Sequence, residues 1–192
     1  MKNQTNLFDY FDKKEIRNRY GRTQHGGVKN KGHRKLQRPL STKKWIHLIL
    51  KSDKAKGNLS FLLPRNKHII QSILKQKSKK FGVMLADGAN VGNHLHLKIK
   101  IQNRESFQKF LKAVTCLIAR KITGAKKGYK FGRFWQGLAF TRVLTSSLEE
   151  LNLKGYIKAN RIQAEKGELA REKFLRKFNA WVYRERLREK LL

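Results

Sequence analysis

The chain has 192 residues, with 46 Lys+Arg against 13 Asp+Glu and a formal net charge of +33. At 39% hydrophobic and 10% aromatic it can build a core, and its length predicts one domain, with appendages. Self-repulsion on this scale is tolerated when a polyanion is the usual partner, so nucleic acid leads and a membrane surface follows. No apolar run is long enough to span a bilayer, and no hydrophobic signal segment follows Met1. The single cysteine, Cys116, excludes an internal disulfide, and a cytoplasmic protein is expected. In its apolar surroundings Cys116 reads as a small buried hydrophobe.

Residues 1–40 are rich in Lys, Arg, Asn, Gln and Gly and cannot bury enough apolar surface to fold alone. They read as a flexible basic arm that orders on nucleic acid; the competing reading is a solubilising tail. His25 and His33 are taken as bystanders. Pro39 marks the start of the folded part, and Trp45 to Lys51 reads as the first strand. Gly57-Asn58 gives a turn, and Leu59 to Leu63 either extends the sheet or crosses over it. Asn66 to Lys79 carries Ile69, Ile70, Ile73 and Leu74 at helical spacing. Phe81 to Ala86 reads as a second strand. Asp87-Gly88-Ala89-Asn90 is turn chemistry, which makes the next strand its antiparallel hairpin partner.

That next strand is Asn93 to Ile101, which alternates polar and apolar residues without a break. Leu95, Leu97, Ile99 and Ile101 point one way and His94, His96, Lys98 and Lys100 the other. Two neutral imidazoles at this spacing can share one divalent metal, and the lysines suit a polyanion. Ser106 to Ile122 follows as an amphipathic helix with Phe107, Phe110, Leu111, Val114, Leu117 and Ile118 on its core side, ended by Gly124. Arg133 to Leu144 reads as the last strand. Thr145-Ser146-Ser147 opens another helix, with Glu149 and Glu150 placed for a capping box. A final amphipathic helix spans Glu168 to Leu191, and its apolar stripe of Phe174, Phe178, Trp181 and Val182 is expected to dock on the sheet or on a second subunit, as in a homodimer, rather than on a membrane.

The core order is β-α-β-β-α-β, the split βαβ or ferredoxin-like pattern of an α+β fold with an antiparallel sheet. The first and third strands are then central neighbours, which brings His47 towards His94 and His96. A lone strand histidine usually packs or hydrogen-bonds, and His47 is read that way.

On the helix opened by Ser147, Tyr156 and Asn160 lie four apart and stack on one face. An amide oxygen one turn from a phenol could join two histidines around a hard cation such as Mg²⁺ or Mn²⁺. A tyrosine nucleophile would conserve the phosphodiester energy in a phosphotyrosine link, so one site could cut and rejoin. Gly155 costs about 1 kcal/mol in a helix interior relative to Ala, so it marks a close approach, a moving helix or a tolerated defect. A His-Leu-His strand alone is more often a solvated face, and a helical Tyr alone is more often packing. Their conjunction on so basic a chain favours the site.

These residues resemble a known family. Val91-Gly92-Asn93-His94-Leu95-His96-Leu97 looks like the His-hydrophobic-His signature of single-tyrosine HUH nucleases. Phe134-Trp135, Phe140-Thr141-Arg142-Val143-Leu144 and Tyr156-Ile157-Lys158-Ala159-Asn160 resemble the C-terminal half of REP-associated tyrosine transposases. The resemblance covers roughly Arg38 to Gly167, and Arg38-Pro39-Leu40-Ser41 fits it too. It implies a nuclease domain at 41–167 acting on single-stranded or hairpin DNA, and a divalent metal held by His94, His96 and Asn160. It further implies cleavage by Tyr156 through a 5′-phosphotyrosine intermediate that leaves a free 3′-hydroxyl. Many relatives have Pro where this chain has Arg161, so the helix is expected to run on to about Gly167. Lys98, Lys100, Lys154, Lys158 and Arg142 are the candidate DNA contacts, against ordinary solvated side chains. Phe134 and Trp135 are candidate stacking platforms, though core packing is the commoner use. A non-catalytic nucleic-acid-binding protein using the same sheet and basic arm is the alternative. A ribosomal or RNA-structural protein fits the charge but not the conjunction of His94, His96, Tyr156 and Asn160.

Overall fold

The computed structural model describes residues 23–27, 37–129 and 131–189, with side chains up to 185. Most of the basic segment over 1–40 lies outside the described residues, as do His33 and residues 190–192. Among the described residues five strands and four helices follow in order: β1 (Gln24–His25), β2 (Ile46–Lys51), α1 (Pro64–Lys80), β3 (Met84–Asn90), β4 (His94–Lys100), α2 (Arg104–Thr123), β5 (Phe140–Val143), α3 (Ser147–Lys166) and α4 (Glu168–Glu189). The sheet order is β1-β5-β2-β4-β3 and every pairing is antiparallel. The expected β-α-β-β-α-β order is therefore present. One correction falls in the arm: Gln24 and His25 pair with Arg142 and Thr141 as an added edge strand. Segment 59–63 does not extend the sheet; Gly57–Leu59 is a 3-10 turn that leads into α1.

Alternation builds the main core. Ile46, Leu48 and Leu50 of β2 and Leu95, Leu97 and Ile99 of β4 are buried on one face, with α1 and α2 over them. Pro64 opens α1 at a first-turn position where its missing N–H is no loss. Asn103 caps α2 by accepting from the Ser106 amide, and Gly124 ends it in the left-handed region at φ 70°. Phe107, Phe110, Val114, Ile118 and Ile122 form the buried stripe of α2. Cys116 lies away from that stripe and is exposed, which corrects its reading as buried.

Two strand boundaries also move. Asp87 to Asn90 is not the turn: it belongs to β3, and the connection is Val91-Gly92-Asn93. A register shift between Leu85 and Asp87 puts a bulge at Ala86. The extra residue switches faces, so Leu85 packs against the core while Asp87 and Ala89 turn to the imidazole side. The last strand is Phe140–Val143 alone. Gly132 and Gly137 take positive φ before it, and the intervening loop folds Phe134 and Trp135 into the core beside Phe61. Trp135 donates from its indole to the Thr115 carbonyl at 2.9 Å, so these two rings serve packing rather than base stacking.

The other face of the sheet is covered by α3, and α4 packs on α3. Ser146 caps α3 by accepting from the Glu149 amide, while the Glu149 carboxylate reaches back to the Thr145 amide and hydroxyl. As expected, α3 runs on past Arg161 to Gly167, which takes φ 83°. Gly155 is where α3 and α4 meet: a Cβ there would stand 2.2 Å from Cε1 of Phe178. Phe178 cannot swing aside easily, since its ring lies between Phe174 at 5.8 Å and Trp181 at 6.0 Å. Gly155 is thus a close-approach glycine, and α4 braces the helix that carries Tyr156. Gly155→Ala is expected to destabilise the protein by about 1–3 kcal/mol in urea melts. In a Phe178→Ala background the same change becomes neutral or stabilising by up to about 1 kcal/mol, because only the helix preference remains.

Candidate active site on the imidazole face of the sheet

The polar side of β4 is a floor roofed by α3 rather than a solvated face. His96 is 2% exposed and His47 5%. The rings of His94 and His96 meet edge to face at 4.6 Å, and those of His96 and Tyr156 at 5.1 Å. His47 lies side by side with His96, ring centroids 5.4 Å apart, and meets Tyr156 edge-on at 6.3 Å. The structure therefore brings His94, His96 and Tyr156 together and adds His47. Asn160 is buried one turn beyond Tyr156, and its amide nitrogen donates to the Tyr156 carbonyl at 2.9 Å. That leaves Oδ1 as the atom of Asn160 with ligand character.

Three polar ties hold α3 in this position. Arg142 on β5 pairs with Glu149 at 2.8 Å, both side chains buried. Lys98 on β4 pairs with Glu150 at 2.8 Å. Arg161 donates to the Gly88 carbonyl at 2.9 Å and to the Asp87 carboxylate, which the bulge has turned to this side. Ala89, Leu144, Leu153 and Ile157 form an apolar patch between these ties, with Trp45 and Tyr156 packed on it. Tyr156 thus sits on a helix fixed at both ends to its own chain's sheet.

Several candidate DNA contacts are engaged internally. Arg142 is buried against Glu149, which corrects its reading as a DNA contact. Lys98 is held by Glu150 and lies 4.7 Å from the Trp45 ring centroid, with Lys100 at 5.9 Å from the same ring. Lys158 reaches over Phe174 of α4 at 5.4 Å. Lys154 and Lys158 are exposed. Lys51, paired with His94 across β2 and β4, is an exposed cation beside the site that sequence reasoning passed over. Only the strand register, not the motif, could have pointed to it.

All three histidines are held in the neutral form. Burial pushes His47 down to about 3, helped by the Arg142 charge. His94 is lowered by burial and then by Lys51. His96 is lowered well below the usual imidazole range, by burial and then by His47 and His94. Neutral imidazoles are metal ligands, and Nε2 of His96 is a buried nitrogen without a hydrogen-bond partner. Nδ1 of His94 is within 2.6 Å of the Asn93 side-chain oxygen, so that nitrogen carries the proton and Nε2 keeps its lone pair. Among the described residues no three His, Cys, Asp or Glu side chains gather into a metal cluster. An amide oxygen such as that of Asn160, on the same helix as Tyr156, is of a type that suits a hard divalent cation beside two imidazoles. The residues present fit such a group.

No family model and no curated protein matches this sequence. Among solved structures, a REP-associated tyrosine transposase bound to a REP hairpin superposes with TM-score 0.56 at 10% identity, over 70% of this chain and 76% of that one. A "putative transposase" from Deinococcus radiodurans R1 gives TM-score 0.42 at 19% identity, over 66% of this chain and 98% of that one. The chain has the fold of a tyrosine transposase, α+β with a five-stranded antiparallel sheet. Among the described residues no helix is long and apolar enough to cross a membrane.

The buried histidines set an acid limit on stability. A histidine with a folded value below its unfolded value near 6.5 takes up a proton on unfolding. The stabilisation is complete above about 6.5 and is lost as pH falls from there towards about 3 for His47. Urea melts across this window should show stability declining with acid, and His47→Gln should reduce the proton uptake by about one.

Proposed function

We propose that this chain is a metal-dependent, single-tyrosine HUH DNA nuclease and strand transferase, a transposase-like enzyme acting on single-stranded or hairpin DNA. The observation that carries the reading is Tyr156 at 5.1 Å from His96, itself 4.6 Å from His94, all in one chain. The shared fold with a hairpin-bound tyrosine transposase and the net charge of +33 support it. The nuclease unit is 41–167, the segment over 1–40 is a basic arm for DNA, and the helix from 168 onward is the brace behind α3.

In this reading His94, His96 and the amide oxygen of Asn160 hold Mg²⁺ or Mn²⁺. Such an ion, when bound, withdraws charge from the oxygens of a nearby phosphodiester. The phenol oxygen of Tyr156 attacks the phosphorus, a Tyr–O–P bond forms and the P–O3′ bond breaks. The phenol proton leaves, and the departing 3′-oxygen ends protonated as a free 3′-hydroxyl. The 5′-phosphate stays on Tyr156, and attack by a 3′-hydroxyl reverses the step and rejoins a strand. The ties of Glu149, Glu150 and Arg161 hold the phenol in position, so little ordering is needed as the bond forms. Lys51, paired with His94 across the sheet, is a phosphate contact in this reading, and Lys100 and Lys154 are further cations for the DNA backbone.

Labelled single-stranded DNA, including hairpins, is incubated with the protein and Mn²⁺ or with chelator, then resolved on a denaturing gel and mapped by mass spectrometry. A covalent adduct on Tyr156 is expected with metal and none with chelator. Tyr156→Phe should abolish the adduct while DNA binding stays within about threefold, since a phenol hydroxyl adds little to phosphate-dominated affinity. A Phe variant that still forms the adduct overturns the reading, as does metal-independent, salt-sensitive binding with no cleavage.

A further inference from the structure

We propose that His47 is a positioning residue for the divalent-metal site: it accepts the Nδ1 proton of His96 and so leaves the Nε2 lone pair of His96 available as a ligand. This rests on the nuclease reading only in taking His96 as a ligand.

The geometry begins with Nε2 of His47, which lies 3.1 Å from Nδ1 of His96, both rings buried. A nitrogen–nitrogen contact at that distance holds one proton, on one side or the other. If His47 donated it, Nδ1 of His96 would be the acceptor and its proton would sit on Nε2. That atom is buried with no partner, so the arrangement would strand an N–H donor in the interior. If His96 donates, the atom without a partner is a lone pair instead, which a cation can take up. Both leave Nε2 of His96 without a protein partner, but only the second leaves it as a lone pair that a bound cation would satisfy.

The neighbouring ring repeats the pattern with a different partner. Asn93 Oδ1 lies 2.6 Å from Nδ1 of His94, and an amide oxygen only accepts. His94 and His96 are thereby set in the same tautomer by two different residues, and both keep Nε2 for a ligand. His47 is well placed for this task. It stands on central strand β2, side by side with His96 at an interplanar angle of 26° and held edge-on by Phe140 at 6.3 Å. With Nε2 engaged by His96, His47 is a support for the ligand and not a ligand itself.

Two measurements on the full chain test this. The first needs no variant: long-range proton–nitrogen NMR correlations of the metal-free protein should show His96 with its proton on Nδ1 and His47 with Nε2 unprotonated. A His96 proton on Nε2 overturns the proposal. The second is Mn²⁺ titration followed by electron paramagnetic resonance. His47→Phe, which fills the space but cannot accept, should weaken Mn²⁺ binding by about 10–100-fold. His47→Gln, whose amide reaches a similar point and can accept, should recover most of that loss. Equal losses in both variants would mean packing alone and overturn the role. Unchanged binding in His47→Phe beside lost binding in His96→Ala also overturns it while sparing the ligand reading. Unchanged binding in His96→Ala removes the ligand reading itself.

Discussion

The docking of α3 onto the imidazole face of the sheet is the constraint on which the rest depends. A strand carrying two histidines and two lysines on one side would ordinarily leave that side to solvent. Here Leu153 and Ile157 meet Ala89 and Leu144, and polar ties to Glu149, Glu150 and Asp87 flank the apolar contact. The desolvation penalty of the buried Arg142–Glu149 pair largely offsets its attraction. We read its use as register: Arg142 on β5 and Lys98 on β4 engage adjacent residues of the first turn of α3, and Arg161 ties the fourth turn to β3. Rotation or sliding of the helix would break all three. Tyr156 lies between the two ends and inherits their precision.

The cover also changes the chemistry beneath it. Burial keeps His47, His94 and His96 neutral in a chain whose overall charge is strongly positive. Exposed imidazoles beside Lys51 would still titrate near neutrality; roofed over, they stay neutral. The close Gly155–Phe178 approach extends the logic outward, because α4 presses on α3 one residue before the tyrosine. The helix propensity lost at Gly155 is offset by packing that a side chain would forbid.

Much of this was legible in the sequence where one local signal acts alone. The unbroken alternation of Asn93 to Ile101 gave β4 and its two faces, and the periodic stripe ended by Gly124 gave α2, while its Asn103 cap went unread. Ser146 and Gly167 bounded α3. The misreadings fall where tertiary geometry overrides local chemistry. Asp87-Gly88 has turn composition but lies in β3, because a bulge and Arg161 give Asp87 a use there. Phe134 and Trp135 have strand composition but fold into the core, because Gly132 and Gly137 break the run. Cys116 sits in an apolar stretch yet faces away from the stripe. Arg142 looked like a surface cation because its partner Glu149 belongs to another element. His47 could be placed near the site by topology, but its contact with His96 depends on register, which no motif encodes.

The central claim is that one chain supplies both the histidines and the tyrosine around one cation. Its most direct test is a crystal structure grown with Mn²⁺, with the metal located by anomalous scattering. The account predicts a peak bonded to Nε2 of His94, Nε2 of His96 and the side-chain oxygen of Asn160, all from the chain whose Tyr156 faces it. A peak away from the two histidines, or one completed by the α3 of a second chain, would contradict it.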